Sequence, residues 1–237
     1  MKTNLELLIN KQTEDLWKLL KSKYKINIIS DYNYSVNILE RKHRKSFAAI
    51  WYDQYNPRPE YFAHELLHVK INHQGFIVSK LIDNLFSDFP FVNQLWEERE
   101  FRNLIGNIIE HQKMFHEYLK FGFEEKYFVG DYNERKCSIN EIELKMDICL
   151  HPSLDSLKYI TAKFFLMKGA LDPSINYNEE LKLFSKLAPN LFDNLNVFWN
   201  ALVKMKAPYN KEKQEILVLD FFNNIEKNYS RVKKLSV

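Results

Sequence analysis

Apolar residues recur along the chain at two spacings, and the change from one to the other divides it. Over residues 3–24, Leu5, Leu8, Ile9, Leu16, Leu19 and Leu20 recur at helical spacing with charges between them, predicting an amphipathic helix. Three short β-prone runs follow: Ile26 to Ile29, Val36 to Leu39 and Phe47 to Tyr52. The last two flank a basic turn, Glu40-Arg41-Lys42-His43-Arg44-Lys45, and are expected to pair as a hairpin. Asn56-Pro57-Arg58-Pro59 then breaks the strand pattern. Pro59 suits the first turn of a helix, where a missing N–H costs nothing, and Glu60 favours its positive end. That helix is expected over 59–74, stopping before Gly75.

Beyond Gly75 the pattern is almost entirely helical. Helices are expected over about 76–87, 91–120, 154–168, 178–204 with a break at Pro189, and 211–234, with a loop over about 123–136. Ser138 and Glu141 have the spacing of a capping box, opening a helix that ends at His151-Pro152. Phe164, Phe165, Phe184, Phe192, Phe198, Trp199, Phe221 and Phe222 read as core. The expected fold is a predominantly helical α+β class. Residues 1–137 carry the small sheet, and a helical region, 138–237, packs on them.

Composition changes this picture little but excludes several roles. The chain has 237 residues, 46% hydrophobic and 15% aromatic, with 5 Gly, which is the make-up of a core-rich folded protein. Its 34 basic and 31 acidic side chains leave a net charge of +3, weaker than the field of a nucleic-acid binder, so no nucleic-acid partner is expected. The basic run at 40–45 reads as a solvated turn. No apolar run approaches the roughly 18 residues of a membrane span, and the N-terminus lacks an apolar signal core. Cys137 and Cys149 read as two reduced thiols. A cytoplasmic protein without a membrane partner is expected. Heavy use of Asn, Lys, Ile, Phe and Tyr points to an AT-rich, bacterial genome. The sequence carries no signal of an oligomeric state.

The chemistry concentrates in Phe62-Ala63-His64-Glu65-Leu66-Leu67-His68-Val69. Residues i and i+4 share a helix face one turn apart, so two imidazoles at this spacing can take two corners of a tetrahedral zinc site. Glu65, offset by one residue, can reach a water activated by that zinc without itself being a ligand, and can take its proton as a general base.

On these residues the chain resembles the zincin metallopeptidases, and the gluzincin branch most. The resemblance covers about residues 46–120. It implies a zinc cofactor, a zincin-like N-terminal half with His64 and His68 as ligands, and hydrolysis of a peptide or protein substrate with Glu65 as base. In those families an extended substrate lies against a strand that precedes the active-site helix, and Phe47-Ala48-Ala49-Ile50-Trp51-Tyr52 holds that place in order.

Zinc needs at least one more protein ligand. His73 falls one residue short of the metzincin position and reads as a residue near the helix end. Asp88 has the thermolysin-like spacing but reads as a helix cap. Glu110, ringed by Ile108 and Ile109 and followed by His111, is the favoured third metal ligand, because a metal offsets the cost of burying its charge. A Glu on a later helix is also what the gluzincin resemblance implies. His111 then faces the cleft as a donor to a developing oxyanion, or replaces Glu110 as the ligand. Glu97, Glu98 and Glu100 read as surface charges, and His43, His116 and His151 as incidental. Tyr127 and Tyr132 are further oxyanion candidates. Two other readings stay open: a zincin-fold binding or regulatory protein without proteolysis, and a helical interaction module without metal.

Overall fold

Two helices open the chain where the periodicity predicted one. In the computed structural model, which describes residues 4–39, 45–144 and 153–229, α1 (Asn4–Leu8) and α2 (Glu14–Lys23) are separated by a turn. Asn10 builds it. Its Oδ1 accepts from the N–H of Gln12 at 3.1 Å, the N–H of Thr13 at 3.1 Å and the Thr13 hydroxyl at 3.1 Å. A short polar side chain that satisfies backbone donors locally competes with continuation of the helix.

The three β-prone runs form one sheet of β1 (Tyr24–Asp31), β2 (Ser35–Leu39) and β3 (Ser46–Asp53) in the order β1-β3-β2. β2 and β3 pair antiparallel, with Val36 opposite Ile50 and Ile38 opposite Ala48, as the hairpin reading expected; residues 40–44 of its turn lie outside the described residues. β1 pairs parallel with β3, from Tyr24 opposite Ser46 to Asp31 opposite Asp53. The consecutive apolar residues Ala48, Ala49 and Ile50 are all buried, as a central strand requires. This position corrects one expectation. Neighbours on both sides of β3 use its backbone hydrogen bonds, so Phe47–Tyr52 has no free edge for an extended substrate. The outer strands are β1 and β2.

Helix α3 (Pro59–His73) follows with its expected start at Pro59. It packs against α1, α2, β2 and β3 and buries Phe62, Ala63, Leu66, Leu67, Val69 and Ile71. Tyr24 at the start of β1 donates its hydroxyl to Asn72 Oδ1 at 3.3 Å. The helix stops at Gly75, whose φ of +89° favours glycine; a Cβ there would also lie 2.9 Å from the Tyr209 carbonyl oxygen.

The long helix expected over 91–120 is two: α5 (Pro90–Trp96) and α6 (Arg99–Lys120), preceded by α4 (Val78–Leu85) and a 3-10 turn at Phe86–Asp88. Arg102 Nη1 donates to the carbonyl oxygens of Trp96 at 2.6 Å and Glu97 at 2.8 Å, satisfying the end of α5 from outside it. A 3-10 turn, Glu125–Tyr127, lies in the loop that follows α6. Then come α7 (Ile139–Glu143), α8 (Leu154–Lys168), α9 (Asn178–Leu187), α10 (Pro189–Lys204) and α11 (Lys211–Tyr229). The expected capping box opens α7, with the Ser138 hydroxyl accepting from the Glu141 N–H and the Glu141 carboxylate accepting from the Ser138 N–H. Residues 145–152, with Cys149 and His151, and the end of the last expected helix lie outside the described residues. The class is predominantly helical α+β, as expected.

The chain divides into two compact units: Met1–Gln74 with Lys113–Tyr132, and Gly75–Gln112 with Asn133–Val237. The two units therefore interleave along the chain. The first unit holds the sheet, α1–α3, the C-terminal part of α6 and an aromatic cluster of Phe115, Tyr118, Phe123 and Phe128. In the second, α4 and α5 pack on α11, and α10 packs on α8, α9 and α11. The aromatic stripe of the sequence is core here, with Phe198 stacked on Phe221 at 4.2 Å between centroids. Two polar side chains fix this packing. Buried Gln214 accepts from the Ile77 N–H and donates to the Gly75 carbonyl oxygen, both at 2.8 Å. Glu226 accepts from the N–H groups of Phe91 at 2.8 Å and Val92 at 3.2 Å, an anion placed on the positive end of α5.

Candidate metal centre

Helix α3 is apolar on most of its circumference, and its buried side chains hold it against its neighbours in the first unit. His64 and His68 lie one turn apart on it and so share a face. Their Nε2 atoms lie 3.2 Å apart, with ring centroids at 5.0 Å and planes inclined by 62°. Two nitrogens each 2.0–2.1 Å from one tetrahedral zinc lie about 3.3 Å from each other, so the pair has the spacing of one edge of such a site. A hydrogen bond between two imidazoles has a similar length, so the pair alone does not decide the matter.

The third nitrogen does more. His111 on α6 completes a group with His64 and His68 whose ligand atoms all lie within 4.8 Å of one another. The division between units passes between Gln112 and Lys113, inside α6. The helix is unbroken from Arg99 to Lys120, so the turn carrying His111 continues directly into the part belonging to the first unit. There the Glu117 carboxylate pairs with the Lys70 ammonium of α3. His68 is buried, and His64 and His111 are partly so. The Phe128 ring lies 4.7 Å from the His64 ring and is itself backed by Phe115 at 5.2 Å and Tyr118 at 4.9 Å. Three buttressed imidazoles in a largely buried setting can hold a divalent metal ion.

Glu65 is 8% exposed, a carboxylate carried inward on the same helix. Glu110 is not in the three-residue group. Its Oε1 accepts from the Ser79 hydroxyl on α4 at 2.6 Å. Consecutive residues on a helix point about 100° apart, so His111 and Glu110 leave α6 in different directions. Gly106, one turn earlier, sits against the same serine: a Cβ there would be 3.1 Å from Ser79 Cβ.

The other histidine and acidic candidates among the described residues are not members of the three-histidine group. His73 is exposed, with its ring edge-on to Tyr24 at 5.9 Å. Asp88 is exposed at the end of a 3-10 turn, and His116 is exposed on α6. Glu97 and Glu98 are exposed and pair with Lys158 at 3.3 and 2.9 Å, and Glu100 is exposed. Tyr132 donates its hydroxyl to Glu125 at 2.6 Å. His43 and His151 lie outside the described residues.

A second cluster at the start of α3 escaped the sequence reading. Arg58 Nε donates to Glu60 at 2.6 Å, and its guanidinium lies over the rings of Tyr61 at 5.4 Å and Tyr127 at 4.9 Å. The Tyr34 hydroxyl accepts from the Arg58 N–H at 2.6 Å, and burial pushes that phenol up to about 12. One signal was available: Glu60 precedes His64 by four residues and so shares the face of both histidines.

Among the described residues no helix is long and apolar enough to cross a membrane. Comparisons with protein-family models, with curated proteins and with solved structures return no match.

Proposed function

We propose that this chain is a zinc-dependent hydrolase of the zincin kind, acting on peptide bonds, with His64, His68 and His111 as metal ligands and Glu65 as general base. The observation that carries the reading is the closure of the histidine pair by a third imidazole within 4.8 Å. Zinc held by three protein nitrogens supplies a Lewis acid with a coordination position left for a non-protein ligand, the pattern of catalytic rather than structural sites. His111 takes the ligand role that the sequence reading gave first to Glu110. The His64-Glu65-Leu66-Leu67-His68 motif on a helix that follows a small sheet supports the zincin assignment.

Glu65 lies one residue from a ligand, and its carboxylate is removed from bulk solvent. In the proposed reaction it takes a proton from the attacking water and delivers it to the departing amine, work that typically contributes 10²–10⁴-fold to a rate. A buried, free Cys137 supports a reducing compartment and so a cytoplasmic location.

Metal analysis of protein prepared without chelator tests the metal reading: about one zinc per chain is expected, and absence of zinc with no uptake on its addition refutes it. Glu65→Gln tests the chemistry. It should retain zinc and melting temperature while peptide hydrolysis falls roughly a hundredfold or more. A wild-type protein that carries zinc yet cleaves no peptide in a broad library would make the metal site a binding or regulatory one.

A further inference from the structure

Side chains along a strand alternate between the two faces of its sheet, and residues opposite one another share a face. Two observations fix the parity here. The Tyr24 hydroxyl reaches Asn72 of α3, and Ala48, Ile50 and Tyr52 are buried, so the even-numbered strand positions line the face on which α3 packs. The odd-numbered positions line the other face. Down its middle runs the apolar stripe Phe47, Ala49 and Trp51, with Leu39 beside Phe47 and Ile29 beside Trp51. This face is open. Its positions on β1 from Lys25 to Ile29 and on β2 from Ser35 to Leu39 are exposed, and Phe47 and Trp51 are only half-buried.

A sheet face turned to water is ordinarily polar. This one is apolar along its centre, in a pattern complementary to itself. Phe47 and Trp51 lie two residues to either side of Ala49. A half-turn about an axis that crosses the strands at Ala49, in the plane between two copies, sets Phe47 of one copy over Trp51 of the other. It also brings the two small Ala49 side chains together on the axis, where close approach is easiest. The charges select the same axis. Lys25 and Lys45 stand at the end of the sheet where β1 and β3 begin, and both are exposed. Asp31 lies directly opposite Asp53 at the end where both strands stop. Their carboxylates accept from backbone N–H groups, Asp31 from Tyr32 at 2.7 Å and Asp53 from Tyr55 at 2.9 Å and Asn56 at 3.2 Å, and two like charges side by side repel. The half-turn lays the lysine end of each copy over the aspartate end of the other. A half-turn about an axis along the strands would instead stack like charges on like.

We propose that this outer face of the sheet binds a second copy of the chain, in an isologous pair of sheets packed face to face with their strands antiparallel. At about 3.4 Å per residue and about 4.8 Å between strands, the face measures about 27 Å by 14 Å. With the relief of its side chains, two such faces bury on the order of 1,000 Å² in total, the low end for a specific interface, so the dimer is reversible and dissociates in the micromolar range.

Sedimentation velocity on the full chain across the micromolar range is the test. Wild type should pass from monomer to dimer as concentration rises. Ile29→Glu buries an unpaired charge in the interface and should weaken association roughly tenfold or more, with melting temperature unchanged. Leu39→Glu, at an exposed position on β2, repeats the test should Ile29→Glu melt early. Lys25→Glu and Asp31→Lys should each dimerise about threefold to thirtyfold more weakly than wild type, and an equimolar mixture of the two should recover most of the loss, because both junctions then pair opposite charges. None of these residues belongs to the histidine group, so metal content should be the same in every variant. A wild-type chain that stays monomeric overturns the proposal and leaves the face to a different partner. Dimers that both Ile29→Glu and Leu39→Glu leave intact overturn it too, since the contact is then elsewhere. So does a mixture that associates no better than its separate variants, since the lysine and aspartate ends then do not meet.

Discussion

His111 and Glu110 are chain neighbours on one helix, and they meet different partners. The contrast predicts an asymmetric pair of variants. His111→Ala should lower zinc affinity by two orders of magnitude or more, measured by competition with a chromophoric chelator. Glu110→Gln should keep zinc and lower stability in denaturant by about 1–2 kcal/mol, because the Ser79 hydroxyl then bonds to a neutral amide instead of a carboxylate. The reverse pattern would return the ligand role to Glu110. At this scale the spacing in the sequence singled out His64 and His68, which fall in one group with His111, and it brought attention to residues 110 and 111. It favoured the glutamate because a carboxylate among isoleucines needs compensation. That compensation includes a serine on α4, and no periodicity reveals a contact between residues so far apart in the chain. The Arg58 cluster was hidden for the same reason, since Tyr34, Tyr61 and Tyr127 come from three separate segments.

Among the elements, those with local signals were legible. Pro59 marks the start of α3, Pro189 the break between α9 and α10, and Ser138 with Glu141 the cap of α7. The breaks at Asn10 and at Glu97-Glu98 were not, because a side chain satisfying backbone groups makes each of them and the apolar spacing carries across both. Strand order was likewise out of reach: β1 joins β3 in parallel through pairing that skips β2. The α7 cap makes a pH prediction. A hydrogen bond from Lys163, backed by the Ser138 donors, holds the Glu141 carboxyl down at about 2 against an ordinary 4.5. A depressed folded-state value means the unfolded chain binds the extra proton first, so this contribution is complete above about 4.5 and is lost as pH falls towards about 2. Glu141→Gln should therefore be less stable than wild type near neutrality, with the difference narrowing through that window in urea titrations at successive pH values. Close packing gives a second prediction. A Cβ on Gly169, at the end of α8, would lie 2.2 Å from Ile108 Cγ2 and 2.8 Å from the Phe165 carbonyl oxygen. Gly169→Ala should cost about 1–3 kcal/mol in chemical denaturation, the range for overpacking.

For the whole molecule, the interleaving of the two units has consequences that a division near residue 137 would not have. Helices α4 and α5 find their partners in α11, through Gln214 and Glu226 and through the apolar faces of Leu81, Ile82, Phe91 and Trp96. A chain ending at residue 137 should leave these faces bare and either aggregate or bind a hydrophobic dye, as size-exclusion chromatography and dye fluorescence would reveal. A soluble, cooperatively melting 1–137 fragment would refute this. The same interleaving sets an order of events during synthesis. At roughly 5–20 residues per second, about 2–9 s separate the making of His68 from the making of His111, and the first unit is not fully written until Tyr132. Throughout that interval the nascent chain displays a two-histidine half-site that cannot hold an ion with its final affinity. Loading of the proposed centre at full affinity therefore cannot precede the making of His111, however much metal the earlier chain meets.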